Sequence, residues 1–216
     1  MKICASLLAS NHAFIGQSVE TCERAGIDLF HFDVSDGHYT KYIMFGPQII
    51  DDLRGVSNAY FDVHLYNYNV GPILETFLET SANRISLQYE TAYDQLDTYI
   101  ELIRAHKRDV SLTLTLLEDL TTVVEQIEKV DVVNLLAVNP GIGGQAMQRA
   151  VLKKIEAFSS YIALNNLPTA ISVDGGINID NIRLIKDAGA DIAIVGSGIF
   201  QGSIEDNIAL LQKQIE

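Results

Sequence analysis

This sequence predicts a closed parallel barrel of eight strand–helix units, a (β/α)8 fold, on three observations. Eight short runs rich in β-branched and aromatic residues alternate along the chain with stretches of helical spacing. The length, 216 residues, suits eight such units in one domain spanning 1–216. None of the eight runs reads as an antiparallel edge, which favours a closed barrel over an open doubly wound sheet.

"KICASLL" (2–8) is apolar enough for a buried first strand and too short for a secretory signal, so the start reads as mature protein. The helix after it carries Val19, Cys22 and Ala25 on one stripe and stops at "RAGID", with Gly26 at the C-terminal cap. "DLFHFDV" (28–34) and "AYFDVHLY" (59–66) place polar side chains between aromatic ones, so each strand has one polar edge. "RISLQYE" (84–90) precedes a helix with Leu96, Ile100 and Ile103 in line, and "DVSLTLT" (109–115) follows. The segment between "VVNLLAVN" (132–139) and "AISVDG" (170–175) is longer, with room for an enlarged loop as well as a helix. "DAGAD" ends the next helix on Gly189, "DIAIVGS" (191–197) is the eighth strand, and Ile204, Ile208, Leu211 and Ile215 define the last helix.

Composition narrows the function classes. The 48% hydrophobic content can bury a substantial core, and the 15 glycines and 4 prolines are scattered, so no linker divides the chain. No run approaches the roughly 18 apolar residues of a membrane span. A formal net charge of −13 argues against nucleic acid and anionic membrane as partners. Cys4 and Cys22 form no disulfide framework and read as buried thiols in a reducing cytoplasm. The exposed apolar stretch Tyr42, Ile43, Met44 and Phe45 suggests a mobile loop or a homo-oligomer contact.

Four polar residues stand out by position. His31 and Asp33 are two apart and share a face near the end of the second strand; His64 and Asp174 fall near the ends of the third and seventh. In a barrel of this kind the C-terminal strand ends carry the chemistry. Singly, each would read as a turn former or a satisfied polar group. Together, two imidazoles and two carboxylates at one mouth form a ligand set for a divalent metal, with zinc the leading expectation and manganese, iron or cobalt as alternatives. His106 reads as a solvated helix end, His12 as loop surface and His38 as part of the turn "SDGH".

The glycines form a second constellation. "NPGIGGQ" (139–145) follows the sixth strand, "DGG" (174–176) closes the seventh and "GSGIF" (196–200) the eighth. Small residues let backbone N–H groups approach a ligand, and the loops after the last two strands are the usual phosphate cradle of such barrels. No Lys or Arg is needed, which suits so acidic a chain. "NPGIGGQ" is placed to close over a substrate. A metal facing a phosphate cradle suits a sugar phosphate, whose carbon next to the carbonyl could be inverted by two carboxylates, Asp33 and Asp174, one ionised and one protonated.

The segments "SLLAS", "HFDVSDGH", "FGP", "DVHL", "VNPGIGGQ", "VDGGIN" and "GSGIF", in this order, resemble the ribulose-phosphate 3-epimerase family over nearly the whole chain. The resemblance implies interconversion of D-ribulose 5-phosphate and D-xylulose 5-phosphate with one divalent metal. It implies His31, Asp33, His64 and Asp174 as ligands and Asp33 and Asp174 as the acid/base pair. Ser6, Gly141, Ile142, Gly143, Gly144, Gly175, Gly176, Gly196 and Ser197 match substrate and phosphate positions, with His64 also facing the substrate. The chain departs from the family at Ser35, Tyr66 and Leu136, where methionine is usual, at Lys41 and Tyr42, where Pro and Asn are usual, and at Gln88, where His is usual. These departures leave D-allulose 6-phosphate as an alternative substrate and a catalytically idle sugar-phosphate binder as a reading of another class. A barrel decarboxylase would need a Lys within "DVHLYNYN", which has none.

Overall fold

The computed structural model describes residues 1–141 and 143–216; Ile142, expected at the substrate, lies outside the described residues. Parallel strands β1 (Lys2–Ser6) and β2 (Leu29–Asp36), the short β3 (Ile43–Met44), then β4 (Tyr60–Tyr66), β5 (Arg84–Gln88), β6 (Asp109–Leu114), β7 (Val132–Leu136), β8 (Ala170–Asp174) and β9 (Ile192–Val195) form one sheet. Its order is β1-β9-β8-β7-β6-β5-β4-β2, and β1 also pairs with β2, which closes the barrel. Each of the eight parallel strands falls on one of the expected runs. Most stop short of the expected end, because their last residues turn into the loops that rim the mouth.

β3 corrects one expectation. It pairs antiparallel with the end of β2, Ser35 opposite Met44 and Asp36 opposite Ile43. The turn is built locally: Asp36 Oδ1 accepts the His38 N–H at 3.0 Å, and the Ser35 and Thr40 hydroxyls meet at 3.0 Å. This pairing carries β2 two residues beyond its expected end, so His31 and Asp33 lie mid-strand rather than near its end.

Around the barrel lie α1 (Ile15–Arg24), α2 (Pro47–Arg54), α3 (Val70–Leu78), α4 (Tyr89–Ala92), α5 (Leu96–Ala105), α6 (Leu120–Ile127), α7 (Ala150–Leu164), α8 (Ile182–Asp187), α9 (Ser197–Phe200) and α10 (Ile204–Ile215). The expected stripes face inward: Val19 and Cys22, then Leu96, Ile100 and Ile103, then Ile208 and Leu211 are buried. Long α7 fills the long segment between β7 and β8, and the chain leaves α1 and α8 through left-handed Gly26 and Gly189, as the caps predict. No helix among the described residues is long and apolar enough to cross a membrane.

The period-two pattern sorts side chains into two environments. Outward residues such as Phe30, Phe32, Phe61, Val63 and Leu65 pack under the helices, each burial worth about 1.5–3 kcal/mol. Among the inward residues, Cys4, Leu29, Ile192 and Ile194 form a small apolar cluster. Above them the interior is polar and hydrogen-bonded. The Ser86 and Thr113 hydroxyls meet at 2.7 Å, Asn134 Nδ2 donates to Thr113 at 3.3 Å, and Ser172 donates to Asn134 Oδ1 at 2.7 Å. That polar filling supports a reactive layer at the mouth.

Candidate active site

Strand register assembles the cluster. His31 on β2 aligns with Ser6 on β1 and with Asp62 on β4, and the next inward residue, Asp33, aligns with His64. Asp174 closes β8, beside Leu136 of β7. One ligand-type atom from each of His31, Asp33, His64 and Asp174 lies within 4.8 Å of the others. His31 Nε2 is 3.3 Å from Asp33 Oδ1 and 3.9 Å from Asp174 Oδ2, and His64 Nδ1 is 3.8 Å from Asp33 Oδ1. The four residues expected to meet do meet.

Their other atoms are held by partners behind them. His31 Nδ1 donates to Asp62 Oδ2 at 2.8 Å, and Arg84 Nε donates to Asp62 Oδ1 at 2.8 Å, which leaves His31 Nε2 facing the mouth. His64 Nε2 faces Gln88 Oε1 at 3.2 Å. His64 Nδ1, fully buried, has no hydrogen-bond partner among the described residues. An orphaned buried imidazole nitrogen costs about 1–3 kcal/mol unless something binds it, and here it points at two carboxylates and a second imidazole. The donor set fits a divalent transition metal.

Without a metal, the cluster moves the pKa values of its two carboxylates in opposite directions. Burial would raise the Asp33 pKa, but the positive charge and hydrogen bond of His31, with His64 beyond, hold it below the usual aspartate range. Asp174 is pushed up to about 7, first by burial and then, against the pull of His31, by the charges of Asp33 and Asp62. Burial works against charge on both imidazoles. It prevails at His64, which drops to about 4 with the help of neighbouring His31, whereas the carboxylates of Asp33 and Asp62 lift His31 well above its ordinary value. A cation entering here would compete with the His31 proton.

Above the cluster opens a cavity of about 520 Å³. Asp33, Asp174, Ser6, Gly141, Gly143, Gly144, Gly175, Gly176, Gly196 and Ser197 all line it, while His31 and His64 lie fully buried. Ser6 Oγ donates to Asp33 Oδ2 at 3.3 Å. Ser197 opens α9, the short extra helix after the last strand. The wall also includes Tyr42, Ile43 and Met44, while Phe45 packs edge-on against Phe32 at 5.8 Å.

The sequence model of the ribulose-phosphate 3 epimerase family matches residues 2–200. The chain belongs to the ribulose-phosphate 3-epimerase family. It is 35% identical over 204 residues to ribulose-phosphate 3-epimerase 2 of Cupriavidus necator, covering 93% of this chain and 84% of that one. The Serratia marcescens ribulose-phosphate 3-epimerase is 35% identical over 199 residues, covering 92% and 94%. That of Escherichia coli is 33% identical over 199 residues, covering 92% and 88%. Among solved structures, KGPDC from Streptococcus mutans superposes with a TM-score of 0.71 at 13% identity, covering 99% of this chain and 96% of that one. A 3-hexulose-6-phosphate synthase superposes at 0.72 with 16% identity over 100% of both chains. These two share the fold.

Within the family frame, the departures have distinct structural roles. Ser35 bonds Thr40 and accepts the Gly37 N–H at 3.3 Å, and Leu136 is buried; neither lines the cavity. Tyr66 and Tyr42 do line it. Lys41 lies 5.2 Å from the Tyr42 ring. Gln88 orients His64. Sequence reasoning missed Asp62 and Arg84. The available signal was Asp62 two residues before His64, a carboxylate on the same inward face of an otherwise apolar strand.

Proposed function

We propose that this family member epimerises a ketose phosphate at C3, with D-ribulose 5-phosphate and D-xylulose 5-phosphate as the pair, using one divalent cation held by His31, Asp33, His64 and Asp174. The observation that carries the reading is the meeting of two carboxylates and two imidazoles within 4.8 Å, with surroundings that push the two carboxylate pKa values apart. Zinc suits two nitrogens and two oxygens, as do manganese, iron and cobalt. When bound, the cation would acidify the C3–H bond and stabilise negative charge on the C2 and C3 oxygens.

The chain's own residues divide the proton work. Asp33, ionised, takes the proton from C3. Asp174, carrying the proton while Asp33 is ionised, returns one to the same carbon. Inversion needs delivery from the other face, and β8 is separated from β2 by β9 and β1 around the barrel wall. After one turnover Asp33 carries the proton and Asp174 the charge, so the reverse reaction uses the same pair with roles exchanged. The backbone of Gly175, Gly176, Gly196 and Ser197 is the proposed seat of the phosphate, and Ser6 steadies Asp33.

D-Allulose 6-phosphate is the alternative substrate, because Tyr42 and Tyr66 alter the cavity wall. The test is proton exchange in deuterated water with the metal-loaded protein and each ketose phosphate. Deuterium at C3 together with the epimer is the expected result, and the faster substrate names the activity. Tight binding without exchange would make the protein an idle sugar-phosphate binder.

A further inference from the structure

We propose that Tyr66 is a specificity-determining residue: its phenol hydroxyl hydrogen-bonds the C1 hydroxyl of the ketose phosphate, at the end of the substrate remote from the phosphate. The inference rests on the ketose-phosphate reading above and adds a contact on this chain's own side chain. Tyr66 lines the cavity, is only 4% exposed, and its hydroxyl has no hydrogen-bond partner among the described residues. That hydroxyl is not among the buried unpartnered atoms, so it opens on the cavity, where it is placed for a ligand.

The ring is fixed before any substrate arrives. It packs on the His64 imidazole, centroids 3.8 Å apart, and Tyr39 stacks on it at 5.7 Å with an interplanar angle of 22°. Tyr39 is itself held, its hydroxyl bonded to Glu90 and its ring edge-on to Tyr68 at 5.3 Å. A donor held this way loses little freedom on binding.

Topology gives the end of the substrate it meets. Around the eight-strand wall β4 stands four strands from β8, directly across the mouth. With the phosphate at Gly176 and Ser197 and the C2 and C3 oxygens at the metal cluster, the remaining carbon of the ketose, C1, extends toward β4 and Tyr66. A bond to the C1 oxygen would also fix the plane of the C2 carbonyl, and so align the C3–H bond for removal.

The test compares wild type with Tyr66→Phe, which removes the hydroxyl and keeps the ring. Each is given the ketose phosphate and its 1-deoxy analogue, with both kcat/KM and calorimetric binding measured on metal-loaded protein. Wild type is expected to favour the C1-hydroxylated compound by about 10-fold or more, and Tyr66→Phe to bring that ratio near one. Tyr66→Met, also without a donor, must lose the discrimination too, and thermal melts check that both variants are folded. Equal discrimination in wild type and variants, or none in wild type, overturns the proposal while leaving epimerisation standing. Loss of binding discrimination in a protein that turns over neither compound upholds the Tyr66 contact and instead defeats the catalytic reading.

Discussion

His31 and Asp62 form a 2.8 Å hydrogen bond inside the barrel, and that bond decides which imidazole nitrogen faces the mouth. Asp62 can hold it because Arg84, itself buried, takes the other carboxylate oxygen at 2.8 Å and keeps the Asp62 pKa far below the usual range despite burial. The cluster thus sits on a buried ion pair. Asp62→Asn is expected to weaken metal binding about 10–100-fold, since partners behind a ligand tune it to that extent. It also strands Arg84, at about 3–5 kcal/mol of stability. Competition against a chelator measures the first effect, and melts with and without added zinc measure both. Unchanged metal affinity would mean that His31 needs no partner to act as a ligand.

The fold was legible because its signals are local and repeated. Strand runs such as "DLFHFDV" and stripes such as Ile204–Ile208–Leu211–Ile215 are periodicities that survive any tertiary context. His31, Asp33, His64 and Asp174 were legible for a similar reason: ionisable residues inside short apolar runs are conspicuous. Arg84 and Asp62 were not, because they lie a layer deeper, where only strand register shows that a charge on β5 faces one on β4. The antiparallel β3 was hidden too. Two residues have no period, and the pairing depends on the side chains of Asp36, Ser35 and Thr40 closing a turn.

Asp33→Asn and Asp174→Asn should each stop turnover, with losses of at least about 10²–10⁴-fold, the usual contribution of a positioned acid or base. The two differ in what survives. With Asp174→Asn, Asp33 can still take a proton from one epimer, so C3 exchange is expected to be lost in one direction while persisting in the other. Single-turnover exchange from each epimer separates the roles. Identical residual exchange from both epimers in both variants would contradict a division of labour between two carboxylates.

The raised pKa of Asp174 makes a prediction about stability without metal. In chelator, the folded protein holds the Asp174 proton to about pH 7, whereas the unfolded chain releases it near the ordinary aspartate value. Between those limits the folded state binds more protons, so this group's contribution to stability falls as pH rises and levels off above about 7. Asp174→Asn removes the titration. The variant should therefore melt at nearly the same temperature as wild type at about pH 4 and several degrees higher at about pH 8, the reverse of its effect on activity. Thermal melts across that range in chelator check the sign. A wild type more stable than the variant at the alkaline end would mean that Asp174 is not disfavoured as an anion.

Gly176 tests the proposed phosphate seat. Its φ is +68°, and a Cβ there would stand 2.3 Å from the Met147 backbone nitrogen and 2.6 Å from the Gln145 carbonyl oxygen. Backbone cannot yield as a side-chain tip can, so Gly176→Ala must push segment 145–147 away from the end of β8, at about 1–3 kcal/mol of strain. Because the metal cluster is untouched, the expected outcome is a KM raised about 10-fold or more with a smaller change in kcat, and inorganic phosphate weakened as an inhibitor by a similar factor. Gly16→Ala on α1, away from the cavity, is the control, because an added Cβ there meets nothing within 4 Å. An unchanged KM in Gly176→Ala would move the phosphate away from β8, and with it the direction in which the substrate lies across the mouth.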